Sequence, residues 1–161
     1  QIDPTSVEEV FISHAHFDHL GGLSAFLNKN PKVKISVPHS LRGIRHAQEV
    51  RHLDSPTKLH EHFFSTGELD HIEQAMAVET DKGGVLIVGC AHPPMKHILE
   101  NASQFGDIYA IVGGLHGFKR FELFRNFGLI CPTHCTQHKE ELRKLYPEKT
   151  IQGGAGKIIE I

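Results

Sequence analysis

The segment His14-Ala15-His16-Phe17-Asp18-His19 constrains this chain more than any other feature. It follows the apolar run Val10-Phe11-Ile12 and precedes Leu20-Gly21-Gly22-Leu23, where a helix-like pattern begins. Three imidazoles and a carboxylate in so short a stretch are hard to bury as packing, because each polar ring tip taken out of water needs a partner. A divalent cation answers that need, since neutral His nitrogens and carboxylate oxygens are its natural ligands. The spacing points to two cations rather than one. His14 and His16, two apart on extended backbone, project to one side and can share an ion. Asp18 and His19, just past the strand end, turn toward a second. The plain alternative is a polar loop with incidental histidines, and the density and placement of the cluster argue against it.

Three later segments end in the same way as the first, with an apolar run, a small residue and a histidine. They are Val88-Gly89-Cys90-Ala91-His92, Val112-Gly113-Gly114-Leu115-His116 and Ile130-Cys131-Pro132-Thr133-His134. Ligands of open α/β sheets bind in the crevice beyond the carboxyl ends of the strands. One histidine after a strand is commonly a hydrogen-bonded structural residue, but four such ends beside the opening cluster point to one shared metal site. The chain holds fourteen histidines, and not all can be ligands. His39, His46, His52, His60, His62, His71, His97 and His138 sit among Lys, Arg, Glu and Gln and read as solvated surface.

The rest of the pattern alternates strands and helices, which predicts a layered α/β domain. Strands are expected at 7–13, covered on both faces, at 33–37, half open to water, and at 107–112, 129–131 and 156–161. Segments 73–79 and 85–88, joined across Asp81-Lys82-Gly83-Gly84, predict a hairpin. Helices are expected at 18–29, 41–50, 95–105, 118–127 and 136–145, with a loop over 51–58. At 161 residues the chain predicts a single domain spanning 1–161. It begins with Gln1 rather than Met, so a preceding piece is expected.

Composition narrows the partners. A net charge of −2 gives no basic stripe for a nucleic-acid backbone. No stretch approaches the roughly 20 apolar residues that span a bilayer, so no membrane partner is expected. Cys90, Cys131 and Cys135 are odd in number, which disfavours a disulfide framework and fits a reducing, cytoplasmic compartment. Cys131 and Cys135 are not spaced as CxxC. Gly153-Gly154-Ala155-Gly156-Lys157 lacks the first glycine of a phosphate loop, and Ile158 stands where Ser or Thr would bind Mg²⁺.

These motifs together carry a resemblance. His14-Ala15-His16-Phe17-Asp18-His19 resembles the HxHxDH signature of the metallo-β-lactamase fold superfamily. SHAHFDHLGG at 13–22, Gly89-Cys90-Ala91-His92-Pro93, Gly113-Gly114-Leu115-His116 and Pro132-Thr133-His134-Cys135-Thr136 resemble one branch of it. That branch holds the archaeal 7,8-dihydropterin-6-methyl-4-(β-D-ribofuranosyl)aminobenzene 5′-phosphate synthases and related metal-dependent hydrolases. The resemblance implies an αββα four-layer sandwich with a dinuclear site between its sheets. It implies a first ion on His14, His16 and His92 and a second on Asp18, His19 and His134. His116 matches a branch position near the metals and is expected to contact substrate or transfer a proton; a structural bond to the Gly113-Gly114 turn is the alternative. The family normally has further strands before the first motif, so the N-terminal strands are expected to be missing, or supplied by a partner subunit in a homo-oligomer.

Cys90 falls where many superfamily hydrolases carry a carboxylate that bridges both metals. A buried thiol behaves as a small apolar group unless ionised, so the second ion is expected to be held more weakly, with ligation by Cys90 as an alternative. The function expected is a metal-dependent hydrolase, or a dihydropterin-type synthase, acting on a small phosphorylated or cyclic substrate. Its cofactors would be two divalent ions, zinc first, with manganese or iron as substitutes. A nuclease or phosphodiesterase of the same superfamily, and a metal-binding protein without turnover, are the alternatives.

Overall fold

The computed structural model describes residues 2–161. Two sheets face each other. The smaller is entirely parallel, in the order β1 (Glu9–Phe11), β2 (Lys34–Pro38), β3 (Glu49–Leu53). The larger runs β4 (Thr57–His60), β5 (Phe63–Ser65), β6 (Met76–Thr80), β7 (Gly83–Val88), β8 (Ile108–Gly114), β9 (Leu129–Thr133). Its first four strands are antiparallel neighbours, and β7, β8 and β9 are parallel.

Each sheet buries its outer face under helices. Ile35 and Val37 of β2 point, with Ile12, Leu27 and Val33, toward α1 (Phe17–Leu20) and α2 (Leu23–Lys29). Leu86 and Val88 of β7, Ile111 of β8 and Ile130 of β9 pack under α3 (Met95–Ala102), the 3-10 turn Phe121–Phe124 and α4 (Lys139–Leu145). Ile98, Phe124 and Leu142 from those elements are fully buried there. The result is an αββα layering.

Polar contacts tie the sheets together. Gln74, wholly buried, donates from Nε2 to the carbonyl of Ile12 at 2.8 Å and accepts from Ser65 Oγ at 2.8 Å. The Gln74 amide donates to Ser13 O at 2.9 Å, and His14 forms an antiparallel bridge with Glu73. The segment that opens the hairpin is therefore hooked onto the end of β1.

Several expectations need correction. β2 is the buried centre of its sheet, because the face carrying Ser36 lies against the second sheet rather than water. β1 is an edge strand of three residues, none of them fully buried. The helix expected over 18–29 breaks at Gly21-Gly22 into α1 and α2. No helix forms over 41–50, where the chain is irregular before β3, and 51–58 contributes to β3 and β4 instead of a loop. Segment 118–127 holds only a 3-10 turn, and 156–161 pairs with no strand among the described residues. The hairpin of β6 and β7, and β8, β9, α3 and α4, form close to where they were expected.

Replacing Gln74 by Leu should strip the Ile12 carbonyl and the Ser65 hydroxyl of their partner. The expected loss is about 2–3 kcal/mol in urea unfolding, the cost of leaving buried polar groups unpaired. Lys96→Ala, which removes an exposed pair with Glu100, should change stability by under about 0.5 kcal/mol.

Candidate metal centre

The histidines gather where the parallel strands end. His14 follows β1, His92 follows β7, His116 follows β8 and His134 follows β9. Three of these ends share a backbone feature: Ala91, His116 and His134 are left-handed, with φ of 54°, 46° and 44°. Non-glycine residues reach that region at a cost of about 1–2 kcal/mol each. The chain thus turns sharply off β7, β8 and β9, and the side chains aim across the sheet edge.

His14, His16 and His92 form one group. Their ring centroids are nearly equidistant, at 4.6, 4.7 and 4.7 Å, and ring nitrogens from all three lie within 4.8 Å of one another. His14 is completely buried, yet its Nε2 has no hydrogen-bond partner among the described residues. Its other nitrogen, Nδ1, lies 3.0 Å from Ser13 Oγ. A buried ring nitrogen left in this way costs free energy unless something outside the chain satisfies it.

His92 is oriented by Glu73. The Glu73 carboxylate accepts from His92 Nδ1 at 2.8 Å, so in the neutral ring Nε2 is the nitrogen left to act as a ligand. Glu73 is itself only 2% exposed and accepts from the amides of Cys90, Ala91 and His92 at 2.8, 3.2 and 2.9 Å. Gly89 makes this approach feasible, since a β-carbon there would run into Ser13 Oγ and come within 2.9 Å of Glu73 Oε1.

The second group is Asp18, His19 and His134. Asp18 Oδ2 lies 3.2 Å from His134 Nε2 and 3.7 Å from His19 Nε2, and the two Nε2 atoms are 3.2 Å apart. The ring centroids of His14 and His19 are 4.0 Å apart, so the two groups are contiguous. Cys90 Sγ sits at their junction, 3.4 Å from His19 Nε2. His116 is exposed, its ring 5.3 Å from that of His92, and both border a cleft of about 300 Å³ with Pro93, Pro94, Leu115 and Phe118.

The electrostatics suit metal ligation. Burial pulls His14 down to about 4, against the pull of Glu73, and the neighbouring imidazoles add to the drop. Burial likewise lowers His19, although Asp18 opposes it. For Glu73, burial pushes the carboxyl up, but the amides of His92 and Cys90 and the two rings outweigh it, and the net shift is down. Asp18 is also lowered: desolvation, the largest single influence, raises it, but its own amide, His19 and His134 together outweigh that. Neutral imidazoles facing ionised carboxylates are the form that binds a divalent cation.

The structure brings all six expected ligands into two contiguous groups and sets His116 at their rim. Sequence pattern assigns no site role to Glu73 or Ser13, and the spacing of Cys131 and Cys135 sets Cys135 aside as a ligand. Glu73-Gln74, a polar pair opening an otherwise apolar stretch Ala75-Met76-Ala77-Val78, was the available signal. Of the eight histidines read as surface, His97 and His138 are partly buried, pairing with Asp70 and Glu141, and the other six are exposed. No helix among the described residues is long and apolar enough to cross a membrane.

A family profile described as Metallo-beta-lactamase superfamily matches residues 1–129, which takes in every site histidine except His134. The 7,8-dihydropterin-6-methyl-4-(beta-D-ribofuranosyl)-aminobenzene-5'-phosphate synthase of Methanocaldococcus jannaschii is 23% identical, over 99% of this chain and 77% of its own. Among solved structures, Tm1679, described as a metal-dependent hydrolase of the beta-lactamase superfamily, is similar with a TM-score of 0.74. Its identity is 21%, covering 94% of this chain and 78% of that one. The metallo-beta-lactamase fold protein YhfI from Bacillus subtilis is similar with a TM-score of 0.65 and 12% identity, covering 97% of this chain and 79% of that one. Both structures share the fold.

The lowered His14 sets the sign of a pH effect. Its ordinary value is 6.5 and its folded value about 4, so the unfolded chain binds the extra proton between them. Chelator-treated protein should therefore lose thermal stability as pH falls from 6.5 toward 4, and His14→Asn should flatten that slope.

Proposed function

The chain belongs to the metallo-beta-lactamase superfamily, and we propose that it is a metal-dependent hydrolase of a small phosphorylated or cyclic substrate. In this reading His14, His16 and His92 hold one divalent ion and Asp18, His19 and His134 hold a second. Zinc is the first candidate, with manganese or iron able to replace it. The observation that carries the reading is the bare Nε2 of wholly buried His14, facing two further rings whose nitrogens converge on the same space. When bound, such a pair of ions supplies Lewis acidity toward phosphoryl or carbonyl oxygens and lowers the pKa of water toward about 7.

The chain's own groups do the rest. Glu73 fixes the His92 tautomer and holds the β7 turn in place, as carboxylates behind ligating histidines do. Asp18 is 57% exposed and ionised, so its free oxygen can take a proton from the attacking water. His116, at the open edge beside His92, contacts the substrate or returns a proton to the leaving group. Pro93, Pro94, Leu115 and Phe118 offer an apolar wall for the non-reacting part of the substrate.

A second reading, a dihydropterin-type synthase, is favoured by the named M. jannaschii relative. The same donor groups would then clamp a departing phosphate or pyrophosphate. A nuclease is disfavoured by the net charge of −2.

Purified protein should contain about two equivalents of divalent metal and hydrolyse bis-p-nitrophenyl phosphate. Asp18→Ala should cut that rate roughly 100-fold or more with the fold intact; an unchanged rate would sink the dinuclear mechanism. Glu73→Gln should weaken metal affinity by about 10–100-fold, measured by competition with a chromophoric chelator.

A further inference from the structure

His134 belongs to two donor sets at once. On one side its Nε2 faces Asp18 Oδ2 and His19 Nε2, each at 3.2 Å. On the other, ligand atoms of Cys90, His134 and Cys135 all lie within 4.8 Å of one another. The first set offers oxygen and nitrogen, and the second offers two sulfurs and a nitrogen. Cys135 Sγ is packed so tightly against the β8 end that a β-carbon at Gly114 would come within 2.7 Å of it. The glycine thus leaves room for a sulfur turned toward Cys90, whose carbonyl lies 4.0 Å from Cys135 Sγ. Cys90 is buried and Cys135 half-buried, next to the exposed His134.

We propose that Cys90, Cys135 and His134 form a sulfur-based seat for a soft cation such as Cd²⁺, Zn²⁺ or Cu⁺. It competes with the Asp18, His19 and His134 seat, because both draw on His134 and the two sets adjoin so closely that Cys90 Sγ lies 3.4 Å from His19 Nε2. The inference rests on the metal-centre reading above and adds to it a basis for choosing among ions. Thiolates select soft ions, whereas carboxylate and water suit Mn²⁺ and Mg²⁺. Each thiol loses its proton to solvent as its sulfur–metal bond forms, so filling the seat releases two protons per ion. By that preference a harder ion settles in the oxygen–nitrogen seat, and a soft one draws His134 toward the two sulfurs.

The test is to titrate manganese-loaded protein with Cd²⁺ and follow thiolate-to-cadmium charge-transfer absorption in the ultraviolet. The unmutated chain should develop this absorption with release of two protons, and hydrolysis of bis-p-nitrophenyl phosphate should fall in parallel. Cys90→Ser and Cys135→Ser should each retain about half of the absorption and the double variant none. Cys131→Ser should keep all of it, since that sulfur lies against Gly153. Cadmium NMR on the unmutated protein gives a check that needs no variant, through a resonance in the range of sulfur ligation. A resonance in the nitrogen–oxygen range, or absorption that survives in the double variant, would overturn the seat. Both readouts work without turnover. An inactive manganese form would therefore count against the hydrolase reading alone, and absent sulfur ligation against this seat alone.

Discussion

The buried carboxylate of Glu73 is the contact on which the rest of the site depends. Three consecutive amides and one imidazole converge on it, in a place where an ionised group without such partners would cost several kcal/mol. Those donors come from the turn that follows β7, while the Glu73 backbone is bridged to His14 beyond β1. One side chain therefore fixes the distance between the two sheets' strand ends and sets which nitrogen of His92 is free. Gln74, its neighbour, does the same for the sheets behind the site.

The consequence is a donor array positioned by the chain's own hydrogen bonds. His14 cannot reach solvent and its Nε2 has no partner among the described residues, so burial holds the ring in the neutral, ligating form. The left-handed residues at the ends of β7, β8 and β9 add local strain, which packing beneath them must offset. The two groups differ in exposure. His14 and His92 are largely enclosed, whereas Asp18 and His134 are 57% and 43% exposed. Under the proposed two-ion reading, that gradient would set a more enclosed ion beside a more open one.

Much of this was legible in the sequence because ligand chemistry is dense and local. Four histidines within or just after apolar runs, and one motif of six residues, mark the sheet edge that carries the site. The β6–β7 hairpin and β8 were legible for a related reason, since their apolar patterns and turn glycines agree. What escaped depends on contacts distant in the chain. Ser36 looks solvent-facing until the second sheet covers it, and Glu73 looks like surface until the β7 turn wraps around it. Segment 41–50 has helical spacing but packs Leu41, Ile44 and Ala47 against the smaller sheet's core from an irregular loop. Cys135 joins the site only through the close approach of β8, which no spacing along the chain announces.

The most direct measurement is anomalous diffraction from crystals of the metal-loaded protein, collected at the absorption edge of the added ion. Two peaks are expected, one bounded by His14, His16 and His92 and the other bordered by His134 with His19. A chain that binds its metal elsewhere, or shows no peak against the His14 ring, would contradict the claim that these strand ends exist to hold cations.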